Sequence, residues 1–182
     1  MFFKYKSDLV DFYDEGYKVD YIFFCSHKPE DPGVVGKECL SQWYPSSFKY
    51  AGITFPTAEH FMMYQKAMAF DDMETAEKIL VATDPKEVKS LGRQVKNYNE
   101  DKWSYLRYNI VYKGNVAKFE QNHLLMNYLV NGTKGKVLVE AAHYDTVWGI
   151  GMRETDEGVE DPRNWFGLNL LGFALMEVRS TI

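Results

Sequence analysis

The sequence has little cysteine and no clustered metal-binding motif. Its 182 residues include only two cysteines, Cys25 and Cys39. We expect both to be reduced thiols, because sparse cysteine without a regular pattern is typical of cytosolic proteins. The four histidines are scattered, and neither HExxH nor CxxC occurs, so the common zinc motifs are excluded. We therefore expect neither a metal nor a cofactor.

Long apolar runs and an excess of positive charge are also missing. No stretch approaches the length of a membrane span, so we expect no membrane partner. Residues 1–16 carry early acidic side chains and no long apolar core, which predicts a cytoplasmic protein without a signal or transit peptide. The 21 basic and 26 acidic residues give a net charge of −5. This balance argues against a broad, charge-driven grip on a nucleic-acid backbone, but it allows local cationic pockets.

Aromatic side chains are abundant: 13 Tyr, 12 Phe and 4 Trp make up 16% of the chain. A core of this size absorbs many of these rings, and the remainder offer flat surfaces for planar ligands. The length and the 46% hydrophobic content are those of one globular domain. We therefore predict a single domain over residues 1–182.

The residue patterns predict more helices than strands. Segments 17–24 and 135–141 have β-like composition, and residues 48–55 read as a hairpin that turns at Ala51 and Gly52. Thr57 is the expected N-cap of a helix to about Phe70, and Asp84 of a helix through Lys96. Helices are also expected over 101–118, 121–131 and the apolar tail 166–179, with a loop over 142–165. This pattern predicts an α+β, mainly helical domain with a few short strands rather than alternating βαβ units.

One predicted helix carries a carboxylate and an amine at a suggestive spacing. Glu59 and Lys66 lie seven residues apart, close to two helical turns, so they share a face. Exposed helices often carry such charges, but this face also includes Met62, Met63 and Phe70. A partly buried lysine can act as a nucleophile or base, and a partly buried glutamate as an acid.

Two later segments are candidates for ligand binding. Asp145, Trp148, Gly149 and Gly151 combine a carboxylate, a stacking face and glycines whose backbone N–H groups can approach a ligand closely. A plain turn that contains a tryptophan is the alternative. The GxG at 149–151 does not continue as a dinucleotide-binding motif, because Glu154 replaces the last glycine. The second segment, residues 164–169, is also consistent with ordinary helix capping.

Six blocks occur together in a distinctive order between Phe23 and Arg179. They are CLSQWYPSSF, TAEHFMMYQKA, IL-x-x-x-DP-x-x-x-K-x-LGR, W-x-x-x-R with KF-x-QN, VEA-x-x-x-D-x-x-WGIGM and NW-x-G-x-N-x-LG-x-ALM-x-VR. This set resembles the NADAR (YbiA-like) family. Short versions of the family carry Asn where this chain has Gln42, so its LSQW variant is the closer match. Residues 1–22 form an N-terminal extension outside the resemblance.

The resemblance implies a mainly helical α+β domain of the YbiA-like type that hydrolyses N-glycosidic bonds. Two substrate settings are attached to the family: ADP-ribose on guanine in nucleic acid, and ribosylamine phosphates of riboflavin biosynthesis. The LSQW form favours ADP-ribosylated nucleic acid, or a related ADP-ribose-type small molecule, as the partner. A module that binds ADP-ribose or NAD without cleaving it remains the alternative from a different class.

The resemblance also implies site residues. Glu59 and Lys66 match the EHxxxxxKA helix and are the expected catalytic pair. Asp145, from the D-x-x-WGIG block, is the third expected catalytic residue: it is either the base that activates water or the charge that stabilises the ribose. In the other expected route, Lys66 attacks C1 and forms a Schiff base. The expected ligand-binding residues are Trp43, Tyr44, Arg93, Arg107, Trp148, Gly149, Gly151, Trp165 and Asn169.

Overall fold

The computed structural model describes residues 3–31 and 33–182, and it divides the chain into two compact units. Unit 1 combines the segment that ends at Ser41 with His123–Ile182, and unit 2 is Gln42–Asn122. The helices are α1 (Lys6–Asp14), α2 (Ala58–Ala69), α3 (Met73–Val81), α4 (Pro85–Arg93), α5 (Glu100–Glu120), α6 (His123–Asn127) and α7 (Leu170–Thr181). The strands are β1 (Tyr21–Phe24), β2 (Phe48–Tyr50), β3 (Ile53–Phe55) and β4 (Val137–Glu140).

Unit 2 packs helices α2–α5 with the β2–β3 hairpin. Ala51 and Gly52 both have positive φ, as a two-residue hairpin turn requires, and Phe48 pairs with Phe55. The rings of these two residues pack around Phe61 of α2. Helix α5 approaches Phe61 closely at Gly114, where a Cβ atom would lie 2.4 Å from the ring. This aromatic core fixes the start of α2, which carries Glu59.

Unit 1 is built around two parallel strands. Strand β1 pairs with β4 in the register Tyr21↔Val137 to Phe24↔Glu140, and all four residues of β4 are buried. Helix α7 packs on β4 so closely that a Cβ atom at Gly172 would lie 2.0 Å from the carbonyl oxygen of Leu138. A strand buried on both faces explains the continuous apolar run that ends at Glu140.

Most predicted elements are confirmed, with three kinds of difference. Helix α4 ends at Arg93 rather than Lys96, because the backbone N–H of Lys96 donates to the carboxylate of Asp72 and not to a helical carbonyl. Residues 121–131 form the short α6 and a single π-helical turn, Tyr128–Gly132. The sequence patterns did not indicate α1 or α3.

Two other expectations concern thiols and membranes. Cys25 and Cys39 are both free cysteines, as the sparse cysteine content predicts. Within residues 3–31 and 33–182, no helix has the length and apolar character needed to cross a bilayer.

Candidate functional site

Glu59 lies buried in the first turn of α2. The Thr57 hydroxyl caps this helix by accepting a hydrogen bond from the backbone N–H of His60. The N–H of Glu59 donates instead to the carbonyl oxygen of Gln42, at 2.9 Å. Only 3% of Glu59 is exposed. The carboxylate therefore belongs to the first turn of a helix, where the positive end of the helix dipole favours a negative charge.

Lys66 lies on the same helix but has other close neighbours. Its Nζ donates to the carbonyl oxygen of Gly92 at 2.8 Å, and it lies 4.3 Å from the ring centre of Tyr98 and 5.5 Å from that of Trp103. Burial lowers the pKa of Lys66, while the nearby charge of Glu100 opposes the shift more strongly than Glu59 does. Lys66 is thus an amine beside two aromatic rings, and its main acidic neighbour, Glu100, is on α5.

Arg107 belongs to the same neighbourhood. Its guanidinium contacts Glu100 at 3.3 Å, and Glu100 also accepts a short hydrogen bond from the Tyr98 hydroxyl. The Arg107 side chain is only 14% exposed, and its Nε has no hydrogen-bond partner among the described residues. Arg93 is exposed, and its charge also lowers the pKa of Lys66. An unused, buried guanidinium donor suits an anionic ligand group.

The segment that follows Ser41 is anchored on α5. The Gln42 and Asn115 side-chain amides bond reciprocally, at 3.0 and 3.3 Å, and both residues are buried. Trp43 and Tyr44 are half-buried; Lys89 lies 5.9 Å from the ring centre of Trp43, and Lys118 lies 5.9 Å from that of Tyr44. Both predicted ligand-binding rings therefore have a lysine nearby.

In unit 1, Asp145 organises the glycine loop. Its Oδ1 accepts hydrogen bonds from the backbone N–H groups of Val147 and Trp148, at 2.9 and 2.8 Å. The N–H of Ile150 donates to the carbonyl of Glu140. That of Gly151 donates to the carbonyl of Asp145. The N–H of Gly151, one of the donors expected to meet a ligand, is thus already bonded within the protein, and Asp145 and Trp148 remain half-buried.

The glycines of this loop serve close backbone contacts. A Cβ at Gly149 would lie 2.8 Å from the carbonyl oxygen of Glu140, and one at Gly167 would lie 2.2 Å from the carbonyl oxygen of Gly149. Gly151 has φ +69°, which glycine adopts without strain. Their placement explains the WGIG pattern by packing alone, whether or not a ligand also binds there.

Trp165 and Asn169 occupy structural positions. Trp165 is 3% exposed and its indole N–H donates to the carbonyl of Val159 at 2.7 Å. Asn169 is fully buried with φ +53°, and its amide bonds both the N–H of Glu140 and the carbonyl of Leu138 on β4. Both side chains have satisfied polar atoms, so their contacts explain their residue types without a ligand.

Unit 1 also contains a cavity of about 470 Å³, lined by charged side chains. Lys37 bridges Glu30 and Glu154 there, at 3.4 and 3.5 Å. Glu38 is buried in its wall and accepts a hydrogen bond from the backbone N–H of Glu30. None of the site residues expected from the sequence is among the described residues that line this cavity. No group of three or more His, Cys, Asp or Glu side chains in the described part of the chain is placed to hold a metal ion.

Unit 2 thus brings together Glu59, Lys66, Arg93 and Arg107 with partners that sequence reasoning missed. Sequence patterns did not predict a role for four of these partners: Tyr98, Trp103, Gln42 and Asn115. Lys118, which is fully buried, was also missed. The only sequence signal for Lys118 was its place in the KF-x-QN block, since a lysine on a long helix ordinarily suggests an exposed face.

Comparisons with known proteins establish the family of this chain. The NADAR domain model matches residues 23–182. The chain is a member of the NADAR family. It is 39% identical to "N-glycosidase R617" of Acanthamoeba polyphaga mimivirus, over 87% of this chain and 94% of that protein. It is 31% identical to "Riboflavin biosynthesis protein VVA0006" of Vibrio vulnificus, over 79% of this chain but 35% of that larger protein.

A solved structure supports the same fold. The NMR structure of the E. coli protein YbiA superposes with a TM-score of 0.69 at 27% identity, covering 90% of this chain and 85% of that one. The predicted α+β, mainly helical fold of the YbiA-like type is therefore confirmed. The roles of the individual site residues stay predictions.

Proposed function

We propose that this protein is an N-glycosidase that hydrolyses the bond between ribose C1 and a nitrogen of a heteroaromatic base. The viral relative's name supports an N-glycosidase in general. The observation that carries the proposal is the pairing on α2 of a buried carboxylate, Glu59, with a partly buried amine of lowered pKa, Lys66. Simple ligand capture does not need an acid–base group and a nucleophile on one helix.

Cleavage of this bond leaves positive charge on the ribose and electrons on the departing base. A carboxylate near C1 stabilises the oxocarbenium-like ribose or activates the attacking water. Glu59 is proposed for one of these roles. A catalytic role for Asp145 stays a prediction, and its Oδ1 already accepts two backbone hydrogen bonds within the glycine loop of unit 1.

A covalent route through Lys66 is proposed beside the direct one. The neutral amine attacks C1, the C1–N bond breaks, and the base leaves with the bonding electrons and takes up a proton. Opening of the ribose ring then gives a Schiff base, which water hydrolyses to regenerate the amine. Lys66 must first lose a proton and release the Gly92 carbonyl; burial, which lowers its pKa, favours that loss.

For the substrate we propose ADP-ribose linked to guanine in nucleic acid. The unused Nε donor of Arg107 suits a phosphate oxygen. The half-buried Trp43 and Tyr44 suit a base or adenine ring. The net charge of −5 fits an enzyme that holds one modified nucleotide and leaves the rest of the strand weakly bound.

A ribosylamine phosphate of riboflavin biosynthesis is the second candidate substrate. The similarity to the Vibrio riboflavin protein favours it. The deciding assay incubates the protein with an ADP-ribosyl-guanine oligonucleotide and, separately, with the ribosylamine phosphate, and follows product release by chromatography. Release from the oligonucleotide with a much higher kcat/KM supports our proposal, and the reverse preference supports the riboflavin setting. Binding of the oligonucleotide without release would instead indicate a non-catalytic module.

Borohydride trapping during turnover tests the lysine route. We expect a covalent adduct on Lys66 in the wild type, none in Lys66→Met, and a fall in kcat of about 10²-fold or more in that variant. Lys113→Met, an exposed lysine on α5, is the matched control and should behave as wild type. Mapping the adduct to Lys37 would move the covalent step to the cavity of unit 1. Full activity of Lys66→Met would exclude Lys66 as the nucleophile.

A further inference from the structure

The backbone of Glu59 is held by a residue from outside its own helix. An α-helix leaves its first N–H groups without helical partners, so something else must bond them. The Thr57 side chain accepts a hydrogen bond from the N–H of His60. The main-chain carbonyl of Gln42 accepts one from the N–H of Glu59. The position of Glu59 therefore depends on where the Gln42 carbonyl lies.

The Gln42 carbonyl is in turn fixed by the Gln42 side chain. That side chain is 8% exposed and both donates to and accepts from Asn115, which is fully buried. Asn115 is oriented by a third bond, from its Nδ2 to the carbonyl of Val111 one turn earlier on α5, at 2.8 Å. An amide with its donors and acceptor so engaged has one orientation, and a buried pair of this kind is rigid.

A second anchor lies one turn further along α5. Lys118, three residues after Asn115, lies over the ring of Tyr44, two residues after Gln42. The same face of α5 thus contacts the Gln42–Tyr44 segment twice. The segment is held on a helix that also carries Trp103 and Arg107.

We propose that the Gln42–Asn115 amide pair is a positioning device for Glu59, which it holds through the Gln42 carbonyl. This inference rests on the proposed catalytic role of Glu59. The two amides bond each other and the Val111 carbonyl rather than the carboxylate, so both act on the reaction only by fixing the first turn of α2. A misplacement of about 1 Å is enough to cost about 10²-fold in rate, so small shifts of this carbonyl matter.

The test uses single variants and a compensating double variant. Gln42→Asn shortens one amide by a methylene group, and Asn115→Gln lengthens the other, so the double variant restores the combined length. We expect each single variant to lower kcat by at least about 10-fold per folded molecule, with KM changed by less than about 3-fold and a shifted acid limb of the kcat–pH profile. We expect the double variant to recover most of this loss.

Stability is measured in parallel so that rates refer to folded protein only. Asn109→Gln, an exposed amide on the same helix, is the matched control and should leave kcat and the pH profile unchanged. A purely structural role for the pair would lower the fraction folded but leave kcat and the pH profile of the folded protein unchanged, and that result would overturn the inference.

An activity-independent measurement separates this inference from the proposed function. Hydrogen exchange of the Glu59 backbone N–H reports its bond to the Gln42 carbonyl directly. We expect exchange at Glu59 to accelerate by about 10-fold or more in each single variant and to slow again in the double variant, with α7 amides unaffected. If the wild type cleaves no substrate, the proposed function fails, but this exchange pattern still decides whether the pair positions Glu59. Unchanged exchange in both single variants would refute the positioning.

Discussion

Asn169 provides the sharpest test of a structural against a ligand-binding role. The family resemblance predicts that Asn169 contacts ligand, whereas the structure buries it completely at the start of α7. Its Oδ1 accepts from the N–H of Glu140 at 3.0 Å, and its Nδ2 donates to the carbonyl of Leu138 at 2.9 Å. Asn169 also has φ +53°, a conformation that asparagine tolerates better than most residues.

The cost of Asn169→Ala follows from these contacts. Each hydrogen bond removed leaves a buried backbone group of β4 with one partner fewer, at about 1–3 kcal/mol for each group that ends unsatisfied. Alanine also adds about 1 kcal/mol of strain at positive φ. We expect a loss of roughly 3–5 kcal/mol in the free energy of unfolding. Asn169→Gly loses the same bonds without that strain, so we expect it to be about 1 kcal/mol more stable than Asn169→Ala.

Urea unfolding followed by circular dichroism measures these differences, and activity is measured on the same samples. If the role is structural, kcat and KM per folded molecule should remain near wild type in any variant that stays folded. An Asn169→Ala protein that keeps its stability within about 0.5 kcal/mol but has a greatly raised KM would refute the structural reasoning.

Three further predictions concern a carboxylate, a histidine and a glycine. Glu59→Gln should lower kcat by about 10²-fold or more while the fold is retained, and a near-wild-type rate would remove Glu59 from the mechanism. Burial lowers the pKa of His60 below its ordinary value, so the unfolded chain binds more protons; the unfolding free energy should fall as the pH drops below about 6.5. His60→Gln should flatten that pH dependence in urea titrations, and an equally steep slope would contradict it. Gly172→Ala should lower the melting temperature sharply, because its Cβ would lie 2.0 Å from the Leu138 carbonyl oxygen; an unchanged melting temperature would show that α7 packs less closely.

Local signals in the sequence predicted much of the secondary structure. Thr57 and Asp84 cap helices where expected, because a side-chain oxygen next to the first turn satisfies helix N–H groups in any context. The hairpin turn at Ala51 and Gly52 was also predictable from a local property, because glycine adopts the positive φ of such a turn without strain. Helix α4 ended early because the Lys96 N–H finds Asp72, a partner 24 residues away. Contacts of that kind leave no local pattern.

The candidate site, too, has features that local sequence patterns predicted and features that depend on contacts distant in sequence. Helical spacing correctly placed Met62 and Met63 in a buried position beside Glu59. It did not reveal that Lys66 lies against Tyr98 and Trp103, because those rings come from a later part of unit 2.

The sequence by itself determined the family, the fold class and the residue types available for chemistry, since caps, turns, periodicity and motif order are local or linear properties. Tertiary structure alone decided which of those residues have satisfied polar atoms. It bonded Asn169 to a buried strand, left the Nε of Arg107 without a partner among the described residues, and tied Gln42 to Asn115. Such assignments depend on burial and on hydrogen-bond partners distant in sequence, and these exist only once the chain has folded.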